Sequence, residues 1–235
     1  MTTLSTIQKR LRGIADAEIA TTSQRFFKTA PGQYAEGDIF LGIKVPTLRL
    51  LLKELRVTQP KIISSLLKSK FHEERLFALL LLIDFSRRGD ETEKQTAYEL
   101  YLSHTSHINN WDLVDVSAPH IVGDFLAERS RQPIYQLVKS HSLWEKRIAI
   151  VSTFHFIHRN EFDDTLLVAK LLLPDTHDLI HKAVGWMLRE VGKRDLKTEE
   201  MFLQEYYHSM SRTMLRYAIE RFPEARRKEY LKGIV

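Results

Sequence analysis

The residues best suited to chemistry lie in the segment Asn109-Asn110-Trp111-Asp112-Leu113-Val114-Asp115. Asn110 is a good helix N-cap, because its side-chain oxygen can accept from a first-turn amide that has no other partner, so Trp111 opens a helix. Trp111 and Asp115 then stand at i and i+4 on one face, while Asp112 turns aside. Read functionally, this is an accessible indole beside a carboxylate. Read structurally, acidic residues in a first turn answer the helix dipole and tryptophan belongs in a core. The segment alone leaves both readings open. Arg147, in Trp144-Glu145-Lys146-Arg147, can hold a phosphate in a planar fork that Lys does not match. Its alternative is a surface Arg, or a partner for Glu145 or Asp115. Trp186 lies on an apolar helix face that favours burial. Gly185 beside it costs roughly 1 kcal/mol of helix stability against Ala, which points to close approach of another backbone or a ligand.

Other chemistries are poorly supported. The chain has no cysteine, so disulfides, thiolate metal sites and cysteine nucleophiles are excluded. His104/His107 and His155/His158 are i,i+3 pairs and His177/His181 is i,i+4, but no pattern supplies the third and fourth ligands of a zinc site. A Walker loop, a Gly-rich dinucleotide turn and a nucleophile elbow are all absent. No metal and no cofactor are expected.

The elements that position these residues read as helices. The 235 residues contain only nine Gly and seven Pro, which favours long uninterrupted elements. Ser5 with Gln8 forms a capping-box pattern ahead of Ile7, Leu11 and Ile14. Pro31 to Gly42 is the one long irregular segment, and Pro46 then suits the first turn of a helix carrying Leu48, Leu51, Leu52 and Leu55. The spacing predicts further helices at 60–68, 71–87, 91–103, 110–128, 131–139, 143–159, 163–172, 177–193, 197–207, 211–221 and 223–232. Pro119 should kink or break the fourth of these. No segment alternates with a period of two, so the fold class is all-α.

Arg75, Trp111, Arg147, Lys182 and Arg216 recur at spacings of 36, 36, 35 and 34 residues, near the starts of helices. Helix pairs repeating at that length build a HEAT-like solenoid, a curved stack of antiparallel helix pairs, here read as a single domain over residues 1–235. Corresponding residues then project onto one concave face as a row of cations interrupted by a tryptophan. The net charge of +5 is mild, but Lys182 to Val235 holds 12 basic and 8 acidic residues, which suits a polyanion partner. The longest apolar run, Leu76 to Ile83, is too short to span a membrane, and the amino terminus lacks a secretory apolar region, so a cytoplasmic protein is expected.

Four blocks, Phe40-Leu41-Gly42-Ile43-Lys44-Val45-Pro46, the Asn109–Asp115 segment, Trp144–Arg147, and Lys182-Ala183-Val184-Gly185-Trp186-Met187-Leu188-Arg189-Glu190, resemble AlkD-type DNA alkylation repair proteins in order and content. The resemblance covers about residues 25 to 220 and is uneven before Asp38. It implies a HEAT-like repeat fold and a monofunctional DNA glycosylase removing N3- and N7-alkylated purines, such as 3-methyladenine and 7-methylguanine, from double-stranded DNA. The family's catalytic trio falls on Trp111, Asp115 and Arg147, and its second aromatic on Trp186. The resemblance also implies that the lesion is handled through the backbone, without flipping the base.

Sparse machinery suits that substrate. Alkylation fixes a positive charge on the purine, so the base leaves neutral without a general acid. Positive charge then develops on the sugar, where a carboxylate can stabilise it. Lys44, Arg49, Trp186, Arg189, Lys193 and Arg216 are the expected accessory DNA contacts, and a monomer is expected. The competing reading is a non-catalytic HEAT-like scaffold that grips DNA or a protein.

Overall fold

A computed structural model describes residues 2–55, 57 and 59–235. The described residues form helices joined by turns and one longer irregular segment, with no strand among them and one isolated bridge between Ile39 and Phe71. They divide into two compact units, Met1–Ser117 and Ala118–Val235. Among the described residues no helix is long and apolar enough to cross a membrane.

The first unit contains α1 (Leu4–Gly13), α2 (Ala17–Phe26), α3 (Val45–Glu54), α4 (Pro60–Leu67), α5 (His72–Arg88), α6 (Glu91–Leu102) and α7 (Trp111–Ala118). Pro46 and Pro60 sit in first turns, where a missing N–H costs nothing. The apolar run Leu76–Ile83 lies inside α5, which is buried on every side and packs against α3, α4 and α6. An all-round apolar helix is a core helix. Truncating its fully buried Phe77 to Ala would cost about 3–5 kcal/mol.

Two local expectations are corrected here. The cap of α1 is Thr3, whose hydroxyl accepts from Thr6 N at 3.2 Å, so the helix begins before Ser5. Between α1 and the irregular segment lies α2, which the apolar pattern does not announce because none of its residues is buried. Its start is set instead by Asp16, whose carboxylate accepts from the amides of Glu18 and Ile19.

The second unit contains α8 (Asp124–Leu126), α9 (Gln132–Val138), α10 (Leu143–Ser152), α11 (Phe154–His158), α12 (Asp163–Leu172), α13 (Asp178–Gly192), α14 (Leu196–Tyr206), α15 (Arg212–Ala218) and α16 (Glu224–Lys232). Pro119 changes the register of the expected 110–128 helix without ending it: Pro119–Gly123 is a π-helical turn that leads directly into α8, the wider register that a ring without an N–H permits. The expected 143–159 helix divides at Thr153, whose hydroxyl donates back to Ile150 O at 2.7 Å.

Long α13 is the spine of this unit and packs against α10, α12, α14 and α15. Gly185 is the reason α15 comes so near. A Cβ there would lie 2.4 Å from Met214 O and 2.5 Å from Tyr217 Cβ. Arg147, Lys182 and Arg216 each occupy the fifth position of their helices, α10, α13 and α15, so the repeat register is real here. The fold is a helical repeat of the solenoid kind.

The expected row of projecting cations is not formed. Arg75 is 4% exposed and Arg147 5% exposed. Lys182 is half-buried and Arg216 exposed. A shared register fixes which helix face a residue occupies, whereas its neighbours decide whether its charge reaches solvent.

Candidate active site

The first unit builds a site around the start of α7. Asn110, fully buried, accepts from Trp111 N at 2.8 Å through its side chain, and its carbonyl accepts from Val114 N at 3.1 Å. The cap read from the sequence therefore fixes Trp111 as the first helical residue. Trp111 and Asp115 are both half-buried and share a face one turn apart. Below them the hydroxyl of buried Ser117 donates to Leu113 O at 2.5 Å and lies 3.0 Å from Tyr101 Oη. Burial first, and the nearby Asp115 carboxylate second, push the Tyr101 phenol well above its ordinary range, so it stays protonated.

The indole of Trp111 is held by residues from the irregular segment and the end of α2. Phe27 stacks on it at 5.2 Å between ring centroids, and Phe26 meets it edge-on at 6.0 Å. Its ring N–H donates to Tyr34 Oη at 3.3 Å. Phe27 continues the stack onto Phe40 at 5.0 Å, and Phe40 onto His72 at 4.4 Å.

That imidazole sits at the centre of a buried charge network. His72 Nε2 is 2.7 Å from Asp112 Oδ2, and its Nδ1 is 3.3 Å from Asp38 Oδ2. Arg75 donates to Asp38 Oδ1 at 2.8 Å and to Ser69 O at 3.0 Å, and Asn109 donates to Asp38 Oδ1 at 3.2 Å. Burial opposes charge on His72, yet the Asp112 carboxylate and the hydrogen bonds to Asp112 and Asp38 outweigh it and hold the imidazole above its ordinary value. Burial also works against the Asp38 carboxylate, but His72 and Arg75 together keep it below the usual range.

The adjoining backbone is fixed by Glu73, 3% exposed, whose carboxylate accepts from the amides of Leu41, Gly42 and Ile43 at 2.7–3.1 Å. Gly42 has φ +80°, and a Cβ there would meet Asp16 O at 2.0 Å. Both features demand glycine. Lys44 and Arg49, at the start of α3 just beyond, are exposed.

The second unit holds the remaining candidates. Arg147 donates to Leu179 O at 2.5 Å. Trp186 is half-buried, tilted against Phe154 at 5.7 Å, and donates to Glu190 Oε1 at 3.1 Å. The same carboxylate takes Lys193 at 2.7 Å and Arg189 at 3.5 Å, while Arg189 also pairs with Glu220. The His177/His181 pair has local duties: His177 caps α13 through Leu179 N, and His181 Nε2 lies 2.6 Å from Asp175 O.

The model for a family described as DNA alkylation repair enzyme matches residues 7–222. The chain belongs to that family. A solved structure from Enterococcus faecalis, described as a predicted DNA alkylation repair enzyme, is similar to this alkylation repair protein at a TM-score of 0.70 and 18% identity. The match covers 89% of this chain and 97% of that one, which shows a shared fold. No curated protein matches the chain.

Several residues that furnish this repair protein's Trp111 site carry little signal in its sequence. Phe27 and Tyr34 lie in a segment without periodicity, and Asp38 reaches His72 across 34 positions. The one hint is the pair of adjacent large aromatics Phe26-Phe27 just ahead of the irregular segment.

Proposed function

We propose that this alkylation repair protein is a monofunctional DNA glycosylase that hydrolyses the N-glycosidic bond of N3- and N7-alkylated purines in duplex DNA. The Trp111–Asp115 pair on α7 carries the reading. It sets a carboxylate one turn from an indole with Phe27 stacked against it.

An alkylated purine already bears the positive charge that a neutral base would need an acid to supply. As the C1′–N bond stretches, its electron pair goes to the base, and the cation moves to the sugar. Asp115 stabilises that oxocarbenium-like state and orients the attacking water, whose proton passes to the carboxylate and then to solvent. Losing a preorganised electrostatic group of this kind costs ~3–4 kcal/mol of barrier. Trp111 offers the cationic nucleotide its π surface, worth ~0.5–2 kcal/mol. No step requires a metal, a redox group or a Schiff base. The lesion's own charge supplies the selectivity, and the base need not leave the stack.

The test is base release from methylated duplex DNA at enzyme excess, native chain against Asp115→Asn. Release of 3-methyladenine or 7-methylguanine that collapses in the variant, with DNA binding retained, supports the assignment. Binding without release by the native chain would leave a scaffold instead.

A further inference from the structure

We propose that His72 is a positioning residue for α7: its imidazolium bridges Asp38 and Asp112, and the bridge fixes where Trp111 and Asp115 stand. The kinetic consequence rests on the glycosylase reading; the positional one does not.

The geometry requires a doubly protonated ring. Both nitrogens face carboxylate oxygens, at 2.7 Å and 3.3 Å, and a neutral imidazole has one N–H to give. Without the second proton, a buried lone pair would face a buried carboxylate. Arg75 cannot replace it, because its guanidinium is committed to Asp38 and Ser69 O. The charges close only with the imidazolium: Asp38 and Asp112 against Arg75 and His72.

The elements around the ring favour its charge on balance. Asp112 faces it from α7 and Asp38 with Phe40 from the irregular segment, Phe27 packs on it from the end of α2, and Arg75 on α5 opposes its charge but is outweighed by the two carboxylates. Asn109 adds a donor to Asp38, while Glu73, next in sequence, turns its charge to the Leu41–Ile43 amides. The titration of His72 is raised by the carboxylates in spite of its burial.

Two links run from the ring to the indole. Asp112 is bonded directly to the residue before it, Trp111, in the first turn of α7. Phe27 touches both rings, His72 at 5.2 Å and Trp111 at 5.2 Å. Deprotonating His72 leaves buried Asp38 and half-buried Asp112 against one guanidinium, and the strain falls on the turn that carries Trp111.

The experiment follows the chain from neutral into alkaline pH. Nuclear magnetic resonance reads the His72 ring and the Trp111 indole N–H, the latter assigned with Trp111→Phe. The same titration is repeated for single-turnover release of 7-methylguanine. The ring should be charged at neutral pH, the indole resonance should move with the ring's midpoint, and release should fall on that limb by ~10-fold or more. Asp112→Asn removes one carboxylate and should carry midpoint and limb together to lower pH, which a purely structural histidine would not do. His72→Gln should slow release, abolish the limb and leave duplex binding intact; if it does not fold, the native and Asp112→Asn titrations decide. A ring neutral at neutral pH, or an indole signal indifferent to the ring's titration, overturns the proposal. If the native chain releases no base, the glycosylase reading falls, and the indole titration still decides the positioning role.

Discussion

Phe27 lies nearly parallel to Trp111, with 23° between the ring planes, and Phe26 approaches the same indole at 70°. Consecutive residues at the end of α2 thus serve as floor and edge for one ring. Phe27 is half-buried between Trp111 and Phe40, whereas Phe26 is 64% exposed. Phe27→Ala should therefore destabilise the chain by about 1–3 kcal/mol. It should also slow base release by about 10- to 100-fold as the indole loses its seat. Phe26→Ala should stay within about 0.5 kcal/mol of native stability. Thermal melts and single-turnover rates read both, and equal behaviour of the two variants would contradict the stacking assignment.

Gly185→Ala tests the close approach inside the second unit. An added methyl improves helix propensity by roughly 1 kcal/mol. It also meets Met214 O at 2.4 Å and Tyr217 Cβ at 2.5 Å, and neither is the loose end of a side chain. Overpacking of that kind costs about 1–3 kcal/mol, so the net change should be destabilising. A melt equal to or above native would mean that α15 moves away freely.

How far the sequence reaches follows from which contacts are local. The cap at Asn110 and the change of register at Pro119 are each set within a few residues and are readable, and the glycine at 185 signals a close approach without naming Met214 and Tyr217 as its partners. Helix α2 is not, because periodicity reports burial and α2 buries nothing. The family blocks pick out Trp111 and Asp115, but not the residues that hold them. His72 meets Asp38 and Asp112 from 34 and 40 positions away, and nothing short of the fold brings those three together. The cation row shows the opposite failure. Its register is right in α10, α13 and α15, yet the neighbours of Arg147 bury it.

Glu199 gives the second unit a pH-dependent stability. It is 2% exposed, lies so close to α13 that a Cβ on Gly192 would fall 1.6 Å from its Oε2, and its Oε1 has no hydrogen-bond partner. Burial, reinforced by Glu200 and opposed by Arg189, pushes the carboxyl from 4.5 up to about 9. Between those values the folded chain keeps a proton that the unfolded chain releases. The stabilisation is therefore complete below 4.5 and lost as pH rises through about 9. Glu199→Gln removes the titration. The native chain should lose stability relative to this variant from acid to alkali, by on the order of a few kcal/mol. Chemical denaturation at several pH values reads the difference, and a constant gap would place the carboxyl in an ordinary environment.

The surface cations should divide by how they are already paired. Lys44 and Arg49 stand exposed at the start of α3. Arg189 is held by Glu190 and Glu220, and Lys193 by Glu190 at 2.7 Å. A free cation that meets a phosphate releases about one counterion, so Lys44→Ala or Arg49→Ala should lower the slope of log Kd against log salt by about 0.9. A cation already answered by a carboxylate must give up that partner first. Arg189→Ala and Lys193→Ala should therefore change the slope by much less, while the affinity falls across all sequences alike. Titrations of an undamaged duplex at four or five salt concentrations measure this. A full unit of slope lost with Arg189→Ala would show that its guanidinium leaves both glutamates for DNA, and would count against pairing as what separates these cations.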